Sequence, residues 1–189
     1  MMKLITLLAG LLLGSTAFSQ EIAGIEMPDN ITTTADTELQ LNGAGVRTKW
    51  FMDLYVSGLY LQGTETDAEA ILSADEAMAI RLHMVSGLIT SEKMTEATLE
   101  GFENATHGET APLQAEIDQL LSAFGVPIEK GDIFEFVYAP GTGIQIIKNG
   151  NVAQTISSDN AFKRAFFGIW ISDKPAQKSL KYEMLGQKV

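Results

Sequence analysis

The spacing of apolar residues changes character along the chain, and each change predicts an element. Leu4–Leu13 (LITLLAGLLL) is apolar apart from Thr6, follows Lys3, and gives way to the small residues Gly-Ser-Thr-Ala-Phe-Ser. A charged start, a short apolar run and an Ala17-Phe18-Ser19 site predict a secretory leader over residues 1–19, because the run is half the ~20 residues a membrane span needs. Strand-like patterning follows. Glu38–Leu41 alternates weakly, and Gly43-Ala44-Gly45 reads as a turn or bulge. Arg47–Leu61 (RTKWFMDLYVSGLYL) is dense in aromatic and aliphatic residues, so it predicts one long strand or two strands with a sharp bend. Ala77–Val85 predicts another strand, ended by Ser86-Gly87.

The middle of the chain shifts to helical spacing. Thr90 or Ser91 is placed to cap a helix reaching Phe102, with Met94, Ala97 and Phe102 inward. A second helix has Thr110 as cap, Pro112 in its first turn, and Leu113, Ile117, Leu120, Leu121 and Phe124 on one stripe before Gly125. Period-2 patterning returns in Asp132–Tyr138, in Ile144–Lys148 after a Pro140–Gly143 turn, and in Val152–Ile156. Asn149-Gly150 is a strong hairpin signal between the last two. Ser158 or Asp159 then caps a helix bearing Ala161, Phe162, Ala165, Phe166 and Ile169, and a last helix is expected from Asp173 and Pro175 to about Leu185. Runs of strands and runs of helices, kept apart, predict an α+β fold with an antiparallel sheet covered on one face. No linker or repeat divides residues 20–189, so one domain is expected there.

Composition removes whole classes of chemistry. No cysteine is present, which excludes disulfides, thiolate metal sites and a thiol nucleophile. Two histidines are too few for a His-rich metal cage, and no metal or other cofactor is expected. A net charge of -11, from 24 acidic and 13 basic residues, argues against a nucleic-acid partner. Export without cysteine fits a bacterial periplasm. No Walker loop, G-x-S-x-G elbow or H-E-x-x-H occurs, and no catalytic residue is assigned. His83 reads as a core or rim imidazole and His107 as an exposed loop residue.

Arg47 stands apart, since it enters an apolar, aromatic strand straight after Gly-Ala-Gly. On a straight strand it shares a face with Lys49, Phe51, Asp53 and Tyr55. Facing outward, these are solvated charges. Facing inward at an apolar cleft, the guanidinium is a receptor for a carboxylate or phenolate, because its planar fork suits bidentate contact with an oxyanion.

Two segments, Leu41–Leu61 (LNGAGVRTKWFMDLYVSGLYL) and Ala161–Leu180 (AFKRAFFGIWISDKPAQKSL), resemble the bacterial, secreted branch of the chalcone isomerase-like proteins, and the resemblance extends over residues 22–186. It implies an open-faced β-sandwich, a large antiparallel sheet under a layer of helices with a ligand cleft between them. The family includes plant enzymes that close chalcone to flavanone without a cofactor and non-catalytic relatives, some of which bind fatty acids. Arg47 matches the arginine that stabilises developing negative charge in the enzymes, a form of catalysis worth several kcal/mol in general. Thr90, ahead of Ser91-Glu92-Lys93, stands where the enzymes have a tyrosine, which argues against their activity here. Tyr55 matches the tyrosine that fatty-acid-binding relatives pair with the arginine.

The resemblance therefore implies a non-catalytic periplasmic protein that holds a hydrophobic carboxylate, such as a fatty acid, through Arg47 and Tyr55. The alternatives are a structural or interaction module of the cell envelope, which side chains such as Phe166, Phe167 and Trp170 filling the cleft would favour, and a chalcone isomerase-type intramolecular lyase. One geometric demand is explicit. Arg47 and Tyr55 are eight residues apart, about 26 Å along a straight strand at ~3.3 Å per residue, so they share a ligand only if the chain bends sharply near Trp50–Asp53.

Overall fold

Seven antiparallel strands follow one another across a single sheet in strict chain order, which is the arrangement that short reversals between alternating segments produce. The computed structural model describes residues 19–187. The leader expected over 1–19 lies outside the described residues except for Ser19, which already belongs to a strand. A small hairpin, β1 (Ser19–Ile22) with β2 (Ile25–Pro28), precedes the main sheet. That sheet comprises β3 (Asn30–Thr32), β4 (Glu38–Lys49), β5 (Met52–Leu61), β6 (Met78–Met84), β7 (Ile133–Ala139), β8 (Gly143–Lys148) and β9 (Asn151–Ile156). Helix α1 (Ala68–Ser73) joins β5 to β6, and α2 (Ser91–Ala105), a 3-10 turn at Ala111–Leu113 and α3 (Gln114–Ser122) join β6 to β7. Helices α4 (Asn160–Ile171) and α5 (Lys178–Met184) follow β9. No described helix is long and apolar enough to cross a membrane.

The helices lie on one face, as the segregated pattern predicts. There Leu59, Ile80, Leu82, Phe134, Phe136, Ile144 and Ile146 from the strands meet Phe102, Ile117, Leu120, Phe162 and Phe166 from the helices. Helix α4 is buried almost all round, from Phe162 to Ile171 with only Arg164 exposed, because it runs between the sheet and the other helices. Met27 of the β1–β2 hairpin instead covers the opposite face with Val56, Tyr60, Ala79 and Val137, and the Tyr60 hydroxyl donates to the Pro28 carbonyl at 3.0 Å.

Caps are where local chemistry requires them. The Thr90 hydroxyl accepts from the Lys93 N–H and Asp159 accepts from Ala161 and Phe162 N–H, each satisfying orphan donors of a first turn. On α2 the inward positions are Met94, Thr98, Gly101 and Phe102; Ala97 points outward, one position off the expected stripe. Ala161 is likewise exposed. The last helix begins at Lys178 rather than near Pro175, since residues 172–177 run as a connector and Gln177 takes the N-cap position.

Gly43-Ala44-Gly45 is no turn. It lies inside β4, after a bulge at Asn42, where α5 presses onto the strand. A Cβ at Gly43 would collide with the Glu183 carbonyl oxygen and one at Gly45 with the Glu183 carboxylate, so the glycines permit a close helix–strand approach.

Lys163 is the least expected core residue. It is fully buried, and its ammonium donates to the carbonyls of Ile71, Leu72 and Ala74 at 2.7, 3.2 and 2.7 Å. These are carbonyls at the C-terminal end of α1, where a cation complements both the orphan acceptors and the helix dipole. Burial lowers its pKa to about 8, opposed by nearby Asp75. Lys163→Met keeps the stem and strands the three carbonyls. At about 1–3 kcal/mol for a buried group left unsatisfied, urea denaturation should show a loss of at least about 3 kcal/mol; a loss below about 1 kcal/mol would mean that water replaces the ammonium.

Candidate functional site

A reversal of two residues brings Arg47 and Tyr55 together. Residues Trp50 and Phe51 form the turn between β4 and β5, with φ of 53° and 66°. The strands then pair so that Arg47 lies directly opposite Tyr55, with Leu54 left over as a bulge between that pair and Thr48–Asp53. The bend demanded near Trp50–Asp53 is present, and the straight-strand geometry does not apply. Phe51 and Asp53 consequently do not extend Arg47's face along one strand. Phe51 is at the tip and Asp53 returns opposite Thr48.

Directly opposed residues on antiparallel strands share a face, and Tyr55 belongs to the helix-side core. Arg47 is therefore on the inward-facing side, half-buried at the sheet end where the β4–β5 hairpin outruns its neighbours. Its Nη1 donates to the Thr48 carbonyl at 2.8 Å and to Gln177 Oε1 at 3.0 Å. Gln177 Oε1 also accepts from the Thr48 N–H, while its Nε2 donates to the Val46 carbonyl and to Ser179 Oγ. One amide thus clamps the end of β4 to the start of α5 and holds the guanidinium by one corner. Both Arg47 bonds use Nη1, and the guanidinium also lies close enough to Tyr55 to act on its hydroxyl as a charge and a hydrogen-bond donor.

Tyr55 is buried, and its hydroxyl oxygen accepts from Trp170 Nε1–H at 3.2 Å. No acceptor takes the hydroxyl hydrogen among the described residues. Burial raises the phenol's pKa, and the Trp170 hydrogen bond and the Arg47 charge pull it part of the way back. The phenol stays neutral and remains a donor. With Nη1 committed to Thr48 and Gln177, Arg47 and Tyr55 together offer one guanidinium edge and one hydroxyl donor to an anion.

Beneath Arg47 and Tyr55 lies an aromatic layer. Trp170 lies 5.9 Å from Phe136 and 5.5 Å from Phe166, ring centre to ring centre, and Phe102, Phe162 and Phe167 continue the aromatic layer. Two described cavities lie elsewhere. One, of about 310 Å³, is bounded by Leu61, Glu65, Ile71, Glu76 and Met78, and the other, of about 350 Å³, is an open groove bounded by Ser91, Thr95, Leu121 and Phe124. Neither borders Arg47 or Tyr55.

The remaining candidates are structural. Thr90 caps α2, His107 is exposed and 3.6 Å from Asp173, and half-buried His83 lies on the opposite face of the sheet beside Arg81, where burial lowers its pKa. No group of His, Asp and Glu able to hold a metal occurs among the described residues. Trp170 and Gln177 are the site residues that strand patterning missed. Both lie within Ala161–Leu180, the second of the two segments carrying the family resemblance, and that was the available signal.

The chain belongs to the chalcone isomerase-like family, whose model matches residues 19–186. Among solved structures it is similar to a fatty-acid binding protein of Arabidopsis thaliana, with a TM-score of 0.68 and 18% identity over 86% of this chain and 92% of that one. No curated protein matches it. At that identity the likeness establishes the fold: an α+β antiparallel sheet with helices, of the chalcone isomerase-like type.

The Arg47 charge acts to lower the Tyr55 pKa, so Arg47→Gln should move phenol ionisation to higher pH. Titration of ring-labelled tyrosine by ¹³C NMR reads this directly. An unchanged Tyr55 titration would place the guanidinium out of electrostatic reach.

Proposed function

We propose that the protein binds a hydrophobic carboxylate, a fatty acid being the natural candidate, with Arg47 and Tyr55 as its head-group receptor. The observation that carries this reading is their direct opposition across β4 and β5, each with hydrogen-bonding capacity unspent. A carboxylate there accepts from the free guanidinium edge and from the phenol hydrogen, charge-assisted bonds about twice as strong as neutral ones. The plant fatty-acid binding protein of similar fold supports the ligand class. The leader-like residues 1–19 support a periplasmic location.

The packed interior gives the reading a specific mechanism. An acyl tail entering below Arg47 has to displace Trp170 from the Tyr55 hydroxyl and lean against Phe136 and Phe166. Trp170 acts as a latch that fills the tail's position until the ligand arrives. Methionine and aromatic surfaces nearby, such as Met84 opposite Tyr55, re-pack readily around such a tail. Catalysis is not part of this function, since Thr90 serves as a helix cap where the isomerases have a tyrosine.

A second reading has its own observation. Phe166, Phe167 and Trp170 are 1%, 0% and 6% exposed, so the sheet–helix layer is filled, as a structural or envelope interaction module would have it. In that case the Arg47–Gln177 contact serves only to fasten α5 to β4.

Calorimetric titration with dodecanoate and hexadecanoate separates the two. The carboxylate reading expects saturable 1:1 binding, weakened about 10- to 100-fold by Arg47→Ala or Tyr55→Phe, the range for losing a hydrogen bond to a charged group at about 1.5–3 kcal/mol. The methyl esters should bind poorly. Absence of binding by the wild-type protein, or equal binding of acid and ester, would overturn it in favour of the module.

A further inference from the structure

The tip of the β4–β5 hairpin is apolar, exposed and conformationally costly at once. Trp50, Phe51 and Met52 are 79%, 105% and 44% exposed, three consecutive large apolar side chains. They stand clear of the sheet, because β6 pairing with β5 begins only at Tyr55–Met84 and leaves residues 48–53 as a two-stranded overhang. Both central residues of the turn are left-handed, a conformation that a β-carbon disfavours. Elsewhere the same fold meets the same demand conventionally, with Ala23-Gly24 between β1 and β2 and Asn149-Gly150 between β8 and β9. Among the described residues, only at this overhang do two aromatic residues take the place of a glycine-containing pair, and their exposure shows that core packing does not account for them.

The surroundings single out the occupant. Arg47 and Lys49 sit on β4 just behind the tip, and Lys174 lies three residues before Gln177, which is hydrogen-bonded to Thr48, while the Lys178 ammonium turns to the Tyr182 ring. Asp53 and Asp173 offset part of this charge, but on a chain of net charge -11 the end of the molecule bearing the tip is comparatively basic. A convex apolar wedge with a tryptophan and flanking cations has no groove for a partner to fill. It matches an interface that moulds to any shape, where indole rings sit at head-group depth and lysines meet anionic phosphates.

We propose that Trp50, Phe51 and Met52 insert into the surface of a phospholipid bilayer, with Lys49 and the neighbouring basic side chains against anionic head groups. This goes beyond carboxylate binding and stands independently of it, though the tip's closeness to Arg47 would put the receptor at the lipid surface. Insertion is peripheral and needs no membrane-spanning segment.

Trp50 is a built-in reporter, because the other tryptophan, Trp170, is buried and gives a steady background. The intact mature protein is mixed with vesicles of phosphatidylcholine alone, and of phosphatidylcholine with phosphatidylglycerol. Trp50 emission should shift to the blue and be quenched by lipids brominated on the upper acyl chain, more strongly with phosphatidylglycerol present. The double variant Phe51→Ser with Met52→Ser, which alters exposed residues only and whose fold circular dichroism checks, should partition at least tenfold more weakly. Unchanged emission on both kinds of vesicle, or undiminished partition of the variant, would overturn the proposal; the first result would leave a protein surface as the tip's partner. Fatty-acid titration depends on Arg47 and Tyr55 and vesicle partition on the tip, so either can fail alone.

Discussion

Everything proposed for this chain depends on where β4 turns back to become β5. A side-chain period of two means that a slip of one residue sends every side chain to the other face. Reversal at Trp50–Phe51, with Leu54 absorbed as a bulge, puts Arg47 and Tyr55 opposite one another on the helix side. Without the bulge, the pairing of Lys49 with Met52 and Thr48 with Asp53 would continue to Arg47 with Leu54, and the phenol would face away from the guanidinium. The hairpin is held at its base by Gln177, which ties Thr48 and Val46 to the start of α5, and by the indole of Trp170 on Tyr55.

The same hairpin brings two opposing requirements close together. Stability favours a closed layer, with Trp170 against Phe136 and Phe166. Binding a long apolar tail requires that space. The proposed Trp170 latch would reconcile them, since its hydrogen bond to Tyr55 is one neutral contact while a carboxylate would bring charge-assisted ones. Lys163 and the close glycines Gly43 and Gly45 keep α1 and α5 fixed to α4 and to β4 respectively, so in the proposed mechanism opening would fall on the aromatic layer rather than on the helices around it.

Much of the architecture was legible from local rules. Apolar density marked β5, period-2 patterning marked β6 to β9, Asn149-Gly150 marked its hairpin, Asp159 its helix start, and Ile117 and Leu120 the buried stripe of α3, with Phe124 buried just beyond its end. What escaped has physical reasons. The Trp50–Phe51 turn contains neither glycine nor asparagine, so the local pattern left one long strand or two with a sharp bend open, and only the demand that Arg47 and Tyr55 meet pointed to Trp50–Asp53. Gly43-Ala44-Gly45 reads as a turn or bulge and a bulge does stand beside it at Asn42, but that Gly43 and Gly45 answer to Glu183, far along the chain, was not visible. The short β1–β2 hairpin and α1 were too brief to show a period. Trp170 and Gln177 reach their partners across more than a hundred residues, which periodicity cannot report, although the family resemblance covered both. Lys163 left no separate trace, because it stands beside Arg164 and nothing in the pattern tells the buried cation from the exposed one.

The most direct test watches the indole N–H of Trp170 by ¹H–¹⁵N NMR while dodecanoate is added. Only two indole signals exist, one buried and one at the exposed tip, and their burial distinguishes them. If Arg47 and Tyr55 receive a carboxylate whose tail displaces Trp170, its resonance should move in step with saturation as the bond to Tyr55 is lost. A ligand that binds while the Trp170 resonance stays fixed would contradict the account and move the site away from this hairpin.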